Sequence, residues 1–315
     1  MRKSALLIGV NDYGNGYPRL LTPLNDIQAL KEVLLHPDKC GFDKVETLFN
    51  SNAVEMERAI RNLFQEKTKD DITILYFSCH GIREGGEFYF ATSSTEKDEQ
   101  GNLLTSTALP ANRVHSIMST SSLKKQVVIL DCCFSARFAD GLLPEQKLQE
   151  KGRVLLTSST STQPSFEQEG LPLSIYTHHL VEGINTGEAD LDEDGVISVR
   201  NLHDYTAIKV QKAFPEMQPE IYSLQPDLLE ISIAKAPVTN PRLRYLRAVK
   251  DLCLDGKFST VARTRLNVLR IQLGLSVEDT TVIENEFLKP IQEYNDNLLI
   301  FENSLREEIN RVLSE

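Results

Sequence analysis

Four consecutive apolar residues, Val127-Val128-Ile129-Leu130, run straight into Asp131-Cys132-Cys133-Phe134-Ser135-Ala136, and this junction constrains the fold more than any other stretch. An apolar run without polar alternation describes a strand buried on both faces, as in a parallel sheet. The abrupt change to an acid, two thiols and small polar residues marks the carboxyl end of that strand, where open α/β sheets bind their ligands. A second stretch has the same form: Ile72–Phe77 runs into Ser78-Cys79-His80-Gly81. One strand tip offers thiols and the other an imidazole. They are far apart in sequence, yet adjacent parallel strands can place them side by side.

The rest of the chain alternates strands and helices. Ser4–Val10 reads as a first strand, followed by a Gly- and Pro-rich loop over 11–23. Asn25-Asp26 opens an amphipathic helix through Leu35, Val45–Phe49 is a short strand, and Asn52 caps a helix carrying Val54, Ile60, Leu63 and Phe64. Glu87–Ala91 follows Gly85-Gly86 as a hairpin strand, and Leu109–Met118 reads as a helix leading into the thiol-bearing strand. Arg153–Thr157 is a strand, Leu173–Gly183 and Val199–Val210 are helices, and the final strand is expected in Asp227–Ile233. This alternation implies a mostly parallel sheet with helices on both faces. After Pro237, Asn240 and Pro241 everything reads as helix. Leu243 to Leu254, Val261 to Leu273, Ser276–Leu288 and Ile291–Val312 form the segments of an all-α module.

Composition narrows the class. At 315 residues and 41% hydrophobic, the chain can bury a large core. The net charge of −11, spread along the chain, argues against a nucleic-acid surface. Five cysteines without a Cys-x-x-Cys spacing or an even framework suggest a reducing compartment, hence the cytoplasm. No run reaches membrane-spanning length. Ala5–Val10 is too short for a secretion signal and meets Asn11-Asp12 without a cleavage site. P-loop, His-Glu-x-x-His and Gly-x-Ser-x-Gly motifs are all missing.

A thiol at a strand tip beside an imidazole can lose its proton and become the attacking thiolate. Buried cysteines are common and inert, and Cys132 and Cys133 are chemically equivalent rivals for the role. Neighbouring strand residues face opposite sides, so one of the two points back into the structure. His80 is followed by Gly81, whose small size lets a backbone N–H approach a substrate closely. The other histidines (36, 115, 178, 179 and 203) sit in loop or helix contexts without such a partner.

These two stretches together resemble the caspase-like cysteine peptidases, in their bacterial and metacaspase branch. The Gln-Ala-Cys signature of caspases is absent, but His80 lies about 50 residues upstream of the thiols, as in that family. Asp131-Cys132-Cys133-Phe134-Ser135-Ala136 is similar to the metacaspase pattern Asp-x-Cys-His-Ser-Gly, with Phe134 for His and Ala136 for Gly. Tyr76-Phe77-Ser78-Cys79-His80-Gly81 is similar to Tyr-x-Ser-Gly-His-Gly, with Cys79 for the first Gly.

The resemblance covers roughly residues 3–233 and implies a caspase–haemoglobinase-like sheet of about six strands. It gives a peptidase domain over 1–235, with a large-subunit-like segment over 1–136, a linker over 137–152 and a small-subunit-like segment over 153–235. A helical regulatory or interaction module fills 236–315. By the same resemblance Cys133 is the nucleophile, Cys132 the inward-facing neighbour and His80 the base and acid, while the N–H groups of Gly81 and Cys133 form the oxyanion hole. Asp131 and Asp26 are the acids of the substrate pocket, and acids there imply cleavage after Arg or Lys. The place in which caspases join their two halves carries Arg137, Lys147 and Lys151, which are candidates for self-cleavage. The expected function is a cysteine endopeptidase acting in a bacterial stress, defence or cell-death pathway. Its partners would be protein substrates and a regulatory protein on the helical module, with neither nucleic acid nor membrane among them. A non-catalytic signalling scaffold of the same fold and a small-molecule thiol hydrolase are the rivals.

Asp190-Leu191-Asp192-Glu193-Asp194-Gly195 matches the start of an EF-hand calcium loop, but Asn201 stands where the bidentate Glu belongs. A weak calcium site at Asp190, Asp192 and Asp194 competes here with a plain acidic turn before a short strand. The thiol chemistry itself requires no cofactor.

Overall fold

The computed structural model describes residues 1–13, 17–132, 152–159, 171–236, 241–254 and 256–314. β1 (Lys3–Gly9), α1 (Pro23–Leu35), β2 (Lys44–Phe49), α2 (Ala53–Phe64) and β3 (Ile72–Ser78) come first. The hairpin β4 (Gly81–Glu84) and β5 (Glu87–Phe90), β6 (Leu109–Pro110), α3 (Ala111–Ser119) and β7 (Lys125–Asp131) follow. β8 (Arg153–Thr157), α4 (Ile175–Thr186), β9 (Val196–Ser198), α5 (Val199–Ala213), β10 (Glu220–Tyr222) and β11 (Ser232–Lys235) complete the first unit.

The central sheet has six strands in the order β10-β8-β7-β3-β1-β2. All pairs are parallel except β10 against β8. The inner strands β3 and β7 contain no solvent-exposed residue, which is why their centres, Ile74–Phe77 and Val127–Leu130, read as apolar runs. Period-two alternation then divides their side chains between two cores. Leu7, Ile74, Tyr76, Val127, Ile129 and Leu156 pack with Ile27 of α1, Leu180 of α4 and Leu202 of α5. Leu6, Ile8, Phe77, Val128, Leu130 and Leu155 pack on the opposite face with Met56 and Ile60 of α2 and Ile117 of α3.

The same parity sets the strand tips. Asp131 follows Val127 and Ile129 to the α1/α4 face, whereas Cys132 follows Val128 and Leu130 into the α2/α3 core, where it is buried. β1 and β3 are neighbours although β2 lies between them in sequence and pairs on the far side of β1. Their carboxyl ends therefore form the switch point at which such sheets open a ligand crevice. α1 packs closely against the end of β1 because residue 9 is glycine: a Cβ there would stand 2.7 Å from the Pro23 carbonyl oxygen.

Two sequence expectations change here. The final strand, β11, begins only at Ser232, at the end of the expected Asp227–Ile233 stretch, and the sixth strand of the central sheet is instead Glu220–Tyr222. At three residues it carries too short an apolar run to read. Pro226–Leu228 forms a 3₁₀ turn, and β11 pairs antiparallel with β9 in a separate two-stranded sheet. The helical region also contains a hairpin.

The second unit, Val238–Glu315, holds α6 (Pro241–Leu252), β12 (Cys253–Leu254), β13 (Lys257–Phe258), α7 (Thr260–Gln272) and α8 (Val277–Ser314). Leu254 thus lies on a strand rather than at the end of a helix. The hairpin pairs Cys253 with Phe258 and Leu254 with Lys257, and Gly256 takes φ +75° beside them. The Asp255-Gly256 dipeptide is a hairpin signal of its own. α8 runs unbroken through Pro290, where the sequence suggested two helices. Tyr245, Val249, Leu266 and Ile283 form the core of this unit. Among the described residues no helix is long and apolar enough to cross a membrane.

Candidate active site

His80 sits between the tip of β3 and the start of β4, half-buried. Its ring lies 4.7 Å from the Tyr13 ring, and its Nε2 is 2.8 Å from the Pro18 carbonyl oxygen. A carbonyl oxygen can only accept, so Nε2 carries the proton in that hydrogen bond and Nδ1 is the basic nitrogen. The Tyr13 hydroxyl accepts from the His80 backbone N–H at 3.0 Å and donates to the Val10 carbonyl at 2.5 Å. Asn50 pins the start of the same loop, its Oδ1 accepting from the Asn11 N–H at 2.9 Å. These contacts fix His80 and its imidazole against the loop that follows β1. Gly81, the next residue, is buried and opens β4 opposite Phe90.

Asp131 ends β7 directly across from Ser78 of β3. Its Oδ2 accepts from the hydroxyls of Ser174, in a short hydrogen bond, and Thr177, at 2.8 Å. Asp26, in the first turn of α1, accepts from the Ser174 backbone N–H at 2.9 Å and from the Ser78 hydroxyl at 3.0 Å. Ser174 caps α4, its side chain accepting from the Thr177 N–H. The Thr177 hydroxyl also meets the Tyr76 hydroxyl at 2.6 Å.

The two acids thus share one polar knot around the N-terminus of α4. Asp26 is wholly buried and Asp131 nearly so. Burial, reinforced by the charge of Asp131, pushes the Asp26 carboxyl up to about 8, against the opposing hydrogen bonds from Ser174, Ser78 and Thr22. Burial and both carboxylates likewise raise Tyr76.

A stability test follows from this geometry. The ordinary value for Asp26 is 3.8, so folding takes up a proton between about pH 4 and pH 8. Its contribution to stability is fully present below that window and is lost as the pH rises through it. Unfolding by urea at about pH 5 and about pH 8.5 should show wild type losing ground to Asp26→Asn by up to ~1.4 kcal/mol per pH unit. A pH-independent difference between the two would contradict a protonated Asp26.

Of the other residues singled out from sequence, Cys132 is buried beside Cys79 in the α2/α3 core, its carbonyl accepting from the Ser159 hydroxyl at 3.3 Å. Cys40 is a third buried thiol, pushed up to about 12 by burial. Cys133, Arg137, Lys147 and Lys151 lie outside the described residues. Sequence reasoning missed Ser174, Thr177 and Ser78 as partners of the acids, and the Pro18 carbonyl as partner of His80. Serines and threonines at a helix start read only as caps, and a backbone carbonyl leaves no trace in a sequence.

The acidic loop at 190–195 folds before β9. Donor oxygens of Asp190, Asp192 and Asp194 lie within 4.8 Å of one another, and Gly195 takes φ +88°. The Gly195 N–H donates to Asp190 Oδ2 at 3.0 Å, while Asp190 Oδ1 is buried without a hydrogen-bond partner. These oxygens fit a hard cation. Asn201 instead donates its amide to Asp192 at 2.7 Å and supplies no second carboxylate.

The central sheet, with an imidazole held at one strand tip and acids gathered at the next, defines a caspase-like α/β protein. A profile of the caspase domain matches residues 2–229, and the chain belongs to that family of cysteine-type peptidases, whose substrates are proteins. In fold it is similar to the crystal structure of protein GSU0716 from Geobacter sulfurreducens. The two share 15% identity and a TM-score of 0.52 over 73% of this chain and 97% of the other. No curated protein matches the sequence.

Proposed function

We propose that the chain is a cysteine endopeptidase of the metacaspase-like branch that cleaves proteins after Arg or Lys, with Cys133 and His80 as its dyad. The observation that supports this most is the His80–Pro18 hydrogen bond, because it leaves Nδ1 as the nitrogen that accepts a proton. In this reading Nδ1 takes the proton of the Cys133 thiol, and the thiolate attacks the scissile carbonyl carbon. The N–H groups of Gly81 and Cys133 receive the oxyanion. Collapse of the adduct expels the amine, which takes its proton from the imidazolium. His80 then deprotonates a water that hydrolyses the thioester and regenerates the thiol.

The paired acids support the basic preference. A guanidinium or ammonium approaching Asp131 would replace the Ser174 and Thr177 hydroxyls as hydrogen-bond donors and place a full positive charge between two carboxyl groups. Treating the chain with an arginyl chloromethyl ketone and mapping the adduct by peptide mass spectrometry tests the assignment. Alkylation of Cys133, blocked by an excess of an Arg-containing peptide, is the expected result. Alkylation of Cys132 instead, or no adduct, would refute it.

Self-cleavage after Lys147 or Lys151 belongs to the same reading, Arg137 being too near the strand tip to reach the site. Incubation with and without calcium should give fragments ending at these lysines, absent in Cys133→Ala. An active enzyme that stays intact would point to control by a partner on the helical module. Calcium, if bound, would be held by Asp190, Asp192 and Asp194 and would order the loop preceding β9. The reading places the enzyme in the cytoplasm, in a stress, defence or cell-death pathway.

A further inference from the structure

The solvent-facing side of α4 carries a second cluster of chemistry-bearing side chains, unused by the peptidase reading. His178, His179 and Glu182 occupy positions i, i+1 and i+4 of the helix. Glu182 therefore faces His178 across one turn and His179 at i+3. One ligand atom from each lies within 4.8 Å of the others. The two imidazoles meet edge to face at 5.0 Å between centroids, and His179 Nδ1 stands 2.9 Å from Glu182 Oε2. His178 is exposed, while His179 and Glu182 are half-buried.

We infer that these three residues bind one divalent late first-row transition ion, zinc being the natural occupant. Two imidazoles and one carboxylate are the donors that favour such an ion over calcium or magnesium, which take all-oxygen sites. Zinc holds nitrogen and carboxylate oxygen at about 2.0–2.2 Å, so its ligand atoms stand no more than roughly 4 Å apart. The three ligand atoms stand within 4.8 Å of one another, and His178, the exposed member, is the one with room to close that distance.

The carboxylate is already positioned from behind. The Tyr205 hydroxyl of α5 reaches Glu182 Oε2 at 3.0 Å and Glu188 Oε2 at the same distance. Lys209 pairs with Glu188 at 3.2 Å and offsets some of the local negative charge. Such support of a ligand by a neighbouring hydroxyl is what orients carboxylates in metal sites. Three protein donors leave a tetrahedral zinc ion one position for water or for a side chain of a second protein. The site follows Thr177 directly in sequence, so an ion there would stiffen the turn of α4 that holds Asp131.

The test uses the full chain carrying Cys133→Ala, so that the proposed nucleophile cannot act as a ligand, with excess calcium present to occupy the acidic loop. Titration with cobalt(II), followed by visible absorption, should show one equivalent bound without a thiolate charge-transfer band, and zinc should displace it. His178→Ala and Glu182→Gln, each added separately, should weaken binding at least tenfold. Both changes spare the fold, since His178 is exposed and Gln keeps an oxygen for Tyr205. No cobalt binding, a thiolate band at one equivalent, or unchanged affinity in both variants would overturn the assignment.

Discussion

Cys133→Ala is expected to abolish turnover of every peptide substrate, while Cys132→Ala leaves kcat within a few fold of wild type. The two thiols are adjacent in sequence and chemically alike. Cys132 is buried in the core formed with Cys79, Leu130 and Phe77, on the α2/α3 face of the sheet. A thiol in that setting packs as a small apolar group. Removing its sulfur should cost about 1 kcal/mol of stability and little catalysis. Removing the nucleophile of a dyad that acts as a unit costs on the order of 10⁶-fold in kcat. Steady-state kinetics with urea unfolding on both variants separates the two losses. Residual activity above about one per cent in Cys133→Ala would transfer the chemistry elsewhere.

Asp131→Ala should reduce kcat/KM on Arg substrates by more than tenfold and leave the chain folded. Losing one partner of a desolvated charge pair costs about 2–5 kcal/mol, which spans roughly 30-fold to several thousand-fold. The same change frees the Ser174 and Thr177 hydroxyls, which keep the Ser174 cap on the Thr177 N–H and the Thr177 contact with Tyr76. Those remaining bonds are why the fold should survive. The loss should be specific: a neutral residue at the cleaved position should suffer far less than Arg. An equal loss on both would mean that Asp131 acts only by holding α4 in place.

Much of this arrangement was legible in the sequence, because the strongest signals were the deepest elements. β3 and β7 are buried along nearly their whole length, with apolar runs at Ile74–Phe77 and Val127–Leu130, and they end at the carboxyl edge where parallel sheets bind ligands. Alternation alone sends Asp131 and Cys132 to opposite faces. Asp26 joined Asp131 in the sequence only through a family resemblance, and the structure brings the two together through Ser174. That residue lies 148 positions from Asp26 and 43 from Asp131, a separation no local pattern can bridge. The imidazole's partner is a backbone carbonyl, which any residue type could supply. β10 escaped notice because a three-residue edge strand takes its stability from its neighbour rather than from its own side chains. The β12–β13 hairpin was lost for a different reason: helical periodicity on both sides outweighed one Asp-Gly turn.

Hydrolysis of matched fluorogenic peptides ending in Arg, Lys, Asp or Ala, by wild type and Cys133→Ala, tests the central claim most directly. Wild type should cleave the Arg and Lys peptides at least a hundredfold faster than the Asp peptide, and Cys133→Ala should cleave none. Preferred cleavage after Asp, or equal rates in the two proteins, would contradict the account.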